Sequence, residues 1–123
     1  MEAKKSKSLP TSSGEPSLIT VRNTMKLLSG KWKMQIVSFL LKNGKTRFTE
    51  LQRGVPGISP KILSKELQEL QQSQIVSRTI MHPKLISVEY ELTAQGKKLK
   101  SVINVITRWG TVHIEYLLHH RIL

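Results

Sequence analysis

Four polar side chains share one face of a segment in the middle of the chain. Ser64, Lys65 and Gln68 follow Lys61 by three, four and seven residues, which is the spacing of one side of an α-helix. Their ammonium, hydroxyl and amide groups can bond to base edges in a DNA major groove and to phosphate oxygens, and none of them is acidic. A solvated amphipathic helix could carry the same residues, so the neighbouring segments decide between these two interpretations.

The segment that carries these side chains has the signals of a helix with one buried face. Ser59 is a suitable N-cap, because its hydroxyl can accept from an N–H of the first turn. Pro60 then falls at the first helical position, where its missing N–H costs nothing. The apolar positions of the segment predict contact with a core: Leu63, Leu67 and Leu70, with Ile62 beside them.

Three further helices are predicted upstream of this segment. Apolar spacing favours the first over residues 18–28 and the second over 32–41, with Gly44 in a left-handed conformation at its end. Thr46 is the expected cap of a third, short helix that leads into a Gly-containing turn at 54–58. A short helix, such a turn and a helix with a basic polar face form the helix-turn-helix pattern.

After Ser73 the apolar period changes from 3.6 to 2, which predicts strands. Residues 75–81 are rich in β-branched side chains. Residues 87–92 alternate, with Val88, Tyr90 and Leu92 expected on the inner side. The short loop between the two strands has a basic tip. A hairpin directly behind a helix-turn-helix predicts a mainly α fold with a small β-hairpin, the winged helix-turn-helix.

The last predicted helix is apolar over much of its circumference. Thr93 is its expected cap, and the apolar positions extend from Leu99 to Leu117. A stripe this wide usually packs against more than one neighbour, and in so small a domain the additional neighbour is plausibly a second subunit. The alternative is packing only on the wing and first helices of the same chain.

The charge of the chain points to a polyanionic partner. There are 20 Lys and Arg residues against 8 acidic residues in 123, a net charge of +12. Such an excess favours nucleic acid through counterion release, although a merely soluble basic protein is the alternative. Residues 1–17 are mostly polar and predict a flexible basic tail before a single domain over 18–123.

The absence of some residue types excludes several classes of chemistry. The sequence has no Cys, which excludes disulfides, thiolate chemistry and Cys-based zinc sites. No apolar run is long enough to span a membrane and no leader follows the N-terminal lysines, so a cytoplasmic, nucleoid-associated protein is expected. His113, His119 and His120 could bind a metal only with further partners, and we expect no metal and no cofactor.

Five short motifs lie within or beside the predicted elements. They are SGKW at 29–32, RFTEL at 47–51, PGIS at 56–59, VEYELT at 88–93 and WG at 109–110. In combination they resemble the HxlR-type winged helix-turn-helix regulators of bacteria and archaea, over roughly residues 18–115. The resemblance implies a homodimeric DNA-binding transcriptional regulator. It also implies that the first and last helices make the dimer, that the helix after Gly-Ile-Ser enters the major groove, and that the wing reaches the flanking backbone or minor groove.

Two positions depart from this family. Many members carry a Cys near the start of the first helix and some use it to sense oxidants or electrophiles, but the position near Ile19 has no thiol. A Cys-based switch is therefore not carried over, and the effector is unknown. The family usually has Gly where Gln74 stands, at the end of the recognition helix. A non-Gly residue in the left-handed conformation costs about 1 kcal/mol, so either Gln74 bears that strain or the helix ends differently.

The candidate site residues form two groups. The DNA-binding candidates are the four polar residues of the recognition helix and a set of basic residues around it: Arg47, Arg53, Arg78, His82 and Lys84. Arg47 and Arg53 are expected to contact phosphate or to form surface ion pairs. For Arg78, an ion pair with Glu89 or Glu91 across the hairpin competes with a phosphate contact. The resemblance places a dimer interface at six positions: Leu18, Ile19, Met25, Trp109, Val112 and Tyr116.

An enzyme is the first rival class, and the sequence gives it little support. No residues combine as nucleophile, base and orienting group, and no Gly-rich phosphate loop is present. The better rival is a winged helix that binds RNA or another protein without operator specificity. The preferred hypothesis is a homodimeric regulator that binds an inverted-repeat operator in double-stranded DNA.

Overall fold

The computed structural model describes residues 17–81 and 87–120. These residues fall into two compact units that divide between Gly30 and Lys31. The predicted basic tail before Ser17 and the predicted tip of the wing at 82–86 lie outside the described residues.

The first unit contains one helix, α1 (Leu18–Leu28), with the predicted bounds. It begins at Ser17, whose hydroxyl accepts the N–H of Thr20 at 3.4 Å. It ends at Ser29, whose N–H donates to the carbonyl oxygen of Met25 at 2.7 Å. None of its residues is buried, and Leu18 is 86% exposed. The helix therefore exposes most of its apolar side chains.

Among the described residues, the second unit contains five helices and three strands. The helices are α2 (Lys33–Asn43), α3 (Phe48–Gly54), α4 (Pro60–Gln72), α5 (Ala94–Lys97) and α6 (Leu99–His119). The strands are β1 (Thr46–Arg47), β2 (Val76–Met81) and β3 (Ser87–Leu92). They form an antiparallel sheet in the order β1-β3-β2. This is a mainly α fold with a small sheet, and α3 and α4 with the β2–β3 hairpin make the predicted winged helix-turn-helix.

The core of the second unit is built from α2, α3, α4 and the inner side of the sheet. Tyr90 and Leu92 of β3 are buried as the alternation predicts, while Val88 is only half-buried. The fully buried side chains come from the three helices and from the turn between the last two: Ile36, Val37, Leu51, Val55, Leu63, Leu67 and Leu70. This core fixes the orientation of α4 and leaves its other face exposed.

The start of α3 differs from the prediction. Thr46 is not a cap: it lies in β1, opposite Tyr90, is 4% exposed, and its hydroxyl donates to the carbonyl oxygen of Gly44 at 2.7 Å. The N-cap is Arg47, whose backbone N–H donates to the carboxylate of Glu50 at 3.2 Å. Glu50 stands three residues after the true cap, so it supplies the carboxylate half of a capping box.

The end of α4 confirms that a non-glycine residue occupies the left-handed position. Gln74 has a φ of 64°, and it is the one non-Gly residue with positive φ in the described ranges. The N–H of Gln74 donates to the oxygen of Gln71 at 3.0 Å, and that of Ile75 donates to the oxygen of Leu70 at 2.9 Å. These two bonds form a Schellman motif, which satisfies carbonyl groups at the end of the helix.

The last helical region is interrupted, which corrects the prediction that Thr93 caps one long helix. Thr93 caps the four-residue α5, because its hydroxyl oxygen accepts the N–H of Gly96 at 2.9 Å. The same hydroxyl donates to the carbonyl oxygen of Gln74 at 2.7 Å. The long helix α6 begins only after Lys98. Thr93 thus ties the start of this region to the residue that ends the recognition helix.

Candidate nucleic-acid interface

Helix α4 has the two faces that its sequence predicts. The hydroxyl oxygen of Ser59 accepts the N–H of Ile62 at 3.2 Å, and Pro60 is the first helical residue. Leu63, Leu67 and Leu70 are at most 1% exposed. The predicted DNA-facing side chains are all exposed: Lys61, Ser64, Lys65 and Gln68. Ile62 is 38% exposed, so it lies at the edge of the core rather than in it.

A buried lysine connects α2 to the recognition helix, and the sequence interpretation missed it. The ammonium nitrogen of Lys33 lies 2.6 Å from a carboxylate oxygen of Glu66 and 2.6 Å from one of Glu69. The Lys33 side chain is 10% exposed and that of Glu66 12%. One signal could have indicated this contact. Lys33 precedes the buried Ile36 and Val37 by three and four residues, so it lies on the core side of α2.

The ionisation of this cluster follows from its contacts. Burial on its own lowers the pKa of Lys33, but the hydrogen bonds to Glu66 and Glu69 outweigh burial and raise the net pKa. The hydrogen bond from Lys33, followed by the one from Lys65, lowers the pKa of the Glu69 carboxyl. Lys33 is therefore charged and Glu69 is ionised near neutral pH.

Lys65 is exposed, but a carboxylate on its own helix already binds it. Its ammonium nitrogen lies 3.1 Å from Oε2 of Glu69, one helical turn away, and 3.9 Å from Oε2 of Glu66. The Lys65 side chain is 65% exposed. By contrast, no carboxylate of the described residues lies within 4.0 Å of Lys61. Lys61 and Lys65, the two lysines on the exposed face of α4, thus have different electrostatic surroundings.

The arginine candidates lie on both sides of strand β3. Nε of Arg47 lies 4.0 Å from a carboxylate oxygen of Glu89, so the ion pair suggested for Arg78 is made by Arg47 instead. Arg78 is exposed on β2 opposite Tyr90, and no described carboxylate lies within 4.0 Å of it. Arg47 and Arg78 line one cleft of about 430 Å³. Arg53 is exposed on α3. The wing-tip candidates His82 and Lys84 lie outside the described residues.

Helix α6 exposes much of its apolar surface. None of its residues is buried, and the exposed fractions of Trp109, Val112 and Tyr116 are 66%, 63% and 50%. The ring of His113 stacks on Trp109 with 4.7 Å between centroids. Exposed apolar side chains in such number on one helix commonly mark a protein interface. The contacts of the described residues do not cover this surface.

Neither a metal-binding cluster nor a membrane-spanning helix occurs within residues 17–81 and 87–120. No three His or acidic side chains there converge in a way that could hold a metal ion. No helix in those ranges is long and apolar enough to cross a bilayer.

The helix-turn-helix of α3 and α4, with the β2–β3 hairpin behind it, defines a winged helix-turn-helix protein whose helix α4 exposes Lys61 and Lys65. A model of the HxlR-like helix-turn-helix family matches residues 27–117. The chain therefore belongs to the HxlR-like helix-turn-helix family. It is 35% identical over 96 residues to the HTH-type transcriptional regulator YtcD of Bacillus subtilis, which covers 78% of this chain and 75% of YtcD. Another HTH-type regulator, from Methanothermobacter thermautotrophicus, is 33% identical over 78% of this chain and 72% of the relative.

Solved structures agree with this membership. The crystal structure of YtcD superposes with a TM-score of 0.72 and 35% identity, over 81% of this chain and 99% of YtcD. The redox regulator HypR in its reduced form gives a TM-score of 0.74 and 32% identity, over 81% of this chain and 98% of HypR. YtcD and the Methanothermobacter protein are HTH-type transcriptional regulators, and this chain shares their helix-turn-helix family, so it is a DNA-binding transcriptional regulator and not an enzyme.

Proposed function

We propose that the protein is a sequence-specific transcriptional regulator that binds an inverted-repeat operator in double-stranded DNA as a homodimer. The observation that carries this proposal is the exposed face of α4. Lys61, Ser64, Lys65 and Gln68 point away from a leucine stripe that is at most 1% exposed, on a helix that is capped at both ends. Such a rigid row of donors suits base edges in a major groove.

Basic residues around α4 support contacts to the DNA backbone. Arg47 and Arg78 share a cleft beside the hairpin, and Arg53 is exposed on the preceding helix. Together with His82 and Lys84 they are the proposed phosphate or minor-groove contacts. A net charge of +12 strengthens binding to any duplex, so base contacts from α4 must supply the preference for one sequence.

The exposed apolar faces of α1 and α6 support the homodimer. Leu18, Ile19 and Met25 are between 49% and 86% exposed, and Trp109, Val112 and Tyr116 are at least half exposed. Covering these faces with a second copy would remove their apolar surface from water. A symmetric dimer would also present two recognition helices to one side of the duplex.

The test is selection of binding sites from random duplexes, followed by footprinting of the selected site. Half-sites should form an inverted repeat about 10 bp apart centre to centre, or a multiple of that. Gln68→Ala should weaken operator binding by roughly 1–3 kcal/mol and relax the preference at one base pair in each half-site. Lys84→Ala is the matched control, because loss of a phosphate contact should weaken binding to all sequences and lower the salt slope by about 1.

Two results would contradict the proposal. If no sequence is enriched, or if single strands bind as well as duplexes, a module that binds RNA or protein is the better description. If Gln68→Ala and Lys65→Ala lower affinity for operator and scrambled DNA equally, α4 does not read the sequence.

A further inference from the structure

We propose that Glu69 is a specificity-determining residue that holds Lys65 away from DNA phosphates until a correct base pair competes for it. In this inference Lys33 is a positioning residue, which keeps Glu69 charged and fixed beside the recognition surface. The inference rests on the proposed function, because it assumes that α4 contacts DNA.

The two carboxylate oxygens of Glu69 contact two different lysines. Its Oε1 accepts from the ammonium group of the buried Lys33 at 2.6 Å, and its Oε2 lies 3.1 Å from that of the exposed Lys65. The Glu69 side chain is 40% exposed, so it reaches the surface where DNA would approach. The carboxylate therefore has one partner inside the protein and one at the interface.

The charge balance of the cluster shows why the ion pair between Glu69 and Lys65 affects specificity. Lys33 and Lys65 together balance Glu66 and Glu69, so the cluster is neutral in the free protein. When Lys65 moves to DNA, Lys33 alone remains with two carboxylates, and one negative charge is exposed beside the phosphates. A single phosphate contact only replaces one partly exposed ion pair of Lys65 with another, so the exchange gains little net free energy. A lysine hydrogen-bonded to guanine in the groove gains more. Glu69 thus selects against non-specific complexes.

Lys33 has a distinct part in this arrangement. It is the first residue of α2, where the helix dipole does not favour a cation, and its side chain is 10% exposed. Two carboxylates from α4 hold it there at 2.6 Å each. Because Lys33 cannot leave with the DNA, it keeps Glu69 in place after Lys65 departs. Lys65 can therefore return to the same carboxylate when the DNA dissociates.

The decisive variant is Glu69→Gln, measured on the selected operator and on scrambled DNA at several salt concentrations. It keeps the size of the side chain and an oxygen for Lys33, but it loses the charge that binds Lys65. Affinity for scrambled DNA should rise about two- to fivefold, with a smaller gain on the operator, so that the ratio of the two falls. The salt slope on scrambled DNA should steepen by about 0.9, because Lys65 becomes a phosphate contact.

Glu66→Gln is the matched control. It removes the same charge from the same helix, but Oε2 of Glu66 lies 3.9 Å from Lys65 and its side chain is only 12% exposed. The ratio of operator to scrambled affinity should change less than in Glu69→Gln. A second control is Glu69→Gln in a Lys65→Ala background, where the effect on the ratio should disappear. Equal changes in the two Gln variants, or an unchanged effect without Lys65, would overturn the inference.

A comparison of two lysine variants tests the same idea without altering Glu69. Lys61→Met should weaken binding to scrambled DNA and lower the salt slope by about 0.9, because Lys61 is available to phosphates. Lys65→Met should leave binding to scrambled DNA nearly unchanged and weaken operator binding. Equal losses on scrambled DNA would overturn the inference while leaving the proposed function intact. Failure of the proposed function would give a different result: the wild-type protein itself would bind operator and scrambled DNA with equal affinity.

Discussion

Gln74 ends the recognition helix in a backbone conformation that favours glycine. Its φ of 64° places a side chain where Cβ is crowded, although the Schellman hydrogen bonds are intact. Gln74→Gly should therefore raise the free energy of unfolding by roughly 0.5–1 kcal/mol in a denaturant titration. Gln72→Gly, two residues earlier and still helical, is the control and should lower it by about 1 kcal/mol. A clear loss of stability in Gln74→Gly would show that strain at this position is not relieved by glycine.

The charge on Glu69 also makes stability depend on pH. Hydrogen bonds from Lys33 and Lys65 hold its pKa below the ordinary value of 4.5, so the folded protein binds this proton less tightly than the unfolded chain. The carboxylate stabilises the fold above pH 4.5, and this contribution is lost as pH falls through the lowered pKa. In thermal melts between pH 3 and pH 7, Glu69→Gln should show a shallower fall toward acid than the wild type. Parallel curves for the two proteins would contradict this prediction.

At the scale of elements, two glycines in the C-terminal helical region should respond oppositely to alanine. A Cβ on Gly96 would collide with the backbone carbonyl oxygen of Ile75, which cannot move without distorting the Schellman cap. Gly96→Ala should therefore lower the free energy of unfolding by about 1–3 kcal/mol. Gly110 lies inside α6, and apart from its chain neighbours and the nearby backbone of its own helix, no described atom lies within 4 Å of such a Cβ. There alanine should add about 1 kcal/mol to the free energy of unfolding, because it is the better helix former. A neutral Gly96→Ala would show that α5 can shift away from Ile75.

The longer helices and strands could be predicted because each contains several sequence features that indicate the same structure. Helix α4 combines a cap, a proline and three leucines, and β3 alternates over six residues. Strand β1 has only two residues and exists because Thr46 and Arg47 pair with a strand far along the chain. The strand therefore depends on a tertiary contact, which the local sequence does not predict. The break at Lys98 was missed because the apolar stripe begins only at Leu99, so the signal for a helix start at Thr93 was joined to a stripe that lies beyond the break.

The candidate site was predictable to a similar degree. The exposed face of α4 follows from periodicity, because burial of one side of a helix determines the exposure of the other. The contacts of Lys33 do not follow, since its partners lie on another helix and only the packing of α2 near α4 brings them together. Helical spacing permits the ion pair of Lys65 with Glu69, four residues later, but spacing alone does not determine which partner an exposed lysine binds.

At the scale of the whole molecule, the exposed apolar surface predicts assembly. Trp109 is 66% exposed, so a monomer would leave it in water. Trp109→Glu should yield monomers or insoluble protein, because a buried charge without a partner is unfavourable in an apolar interface. Lys100→Glu, near the start of the same helix, is the control and should leave the assembly unchanged. Sedimentation of each protein at micromolar concentration measures the outcome. A wild-type monomer at that concentration would remove the dimer and its paired half-sites.

The junction between β1 and α3 has a consequence for how the wing and the helix-turn-helix are aligned. Arg47 is both the last residue of the strand and the N-cap of the helix, so no linker separates the two. An inserted residue would reverse the inner and outer sides of the strand or rotate the helix by about 100°. The junction therefore fixes the rotation of α3 about its own axis relative to the hairpin. Insertions in this family of folds should be tolerated at the tip of the wing, where they change its reach, and rejected at this junction, where they would change its direction.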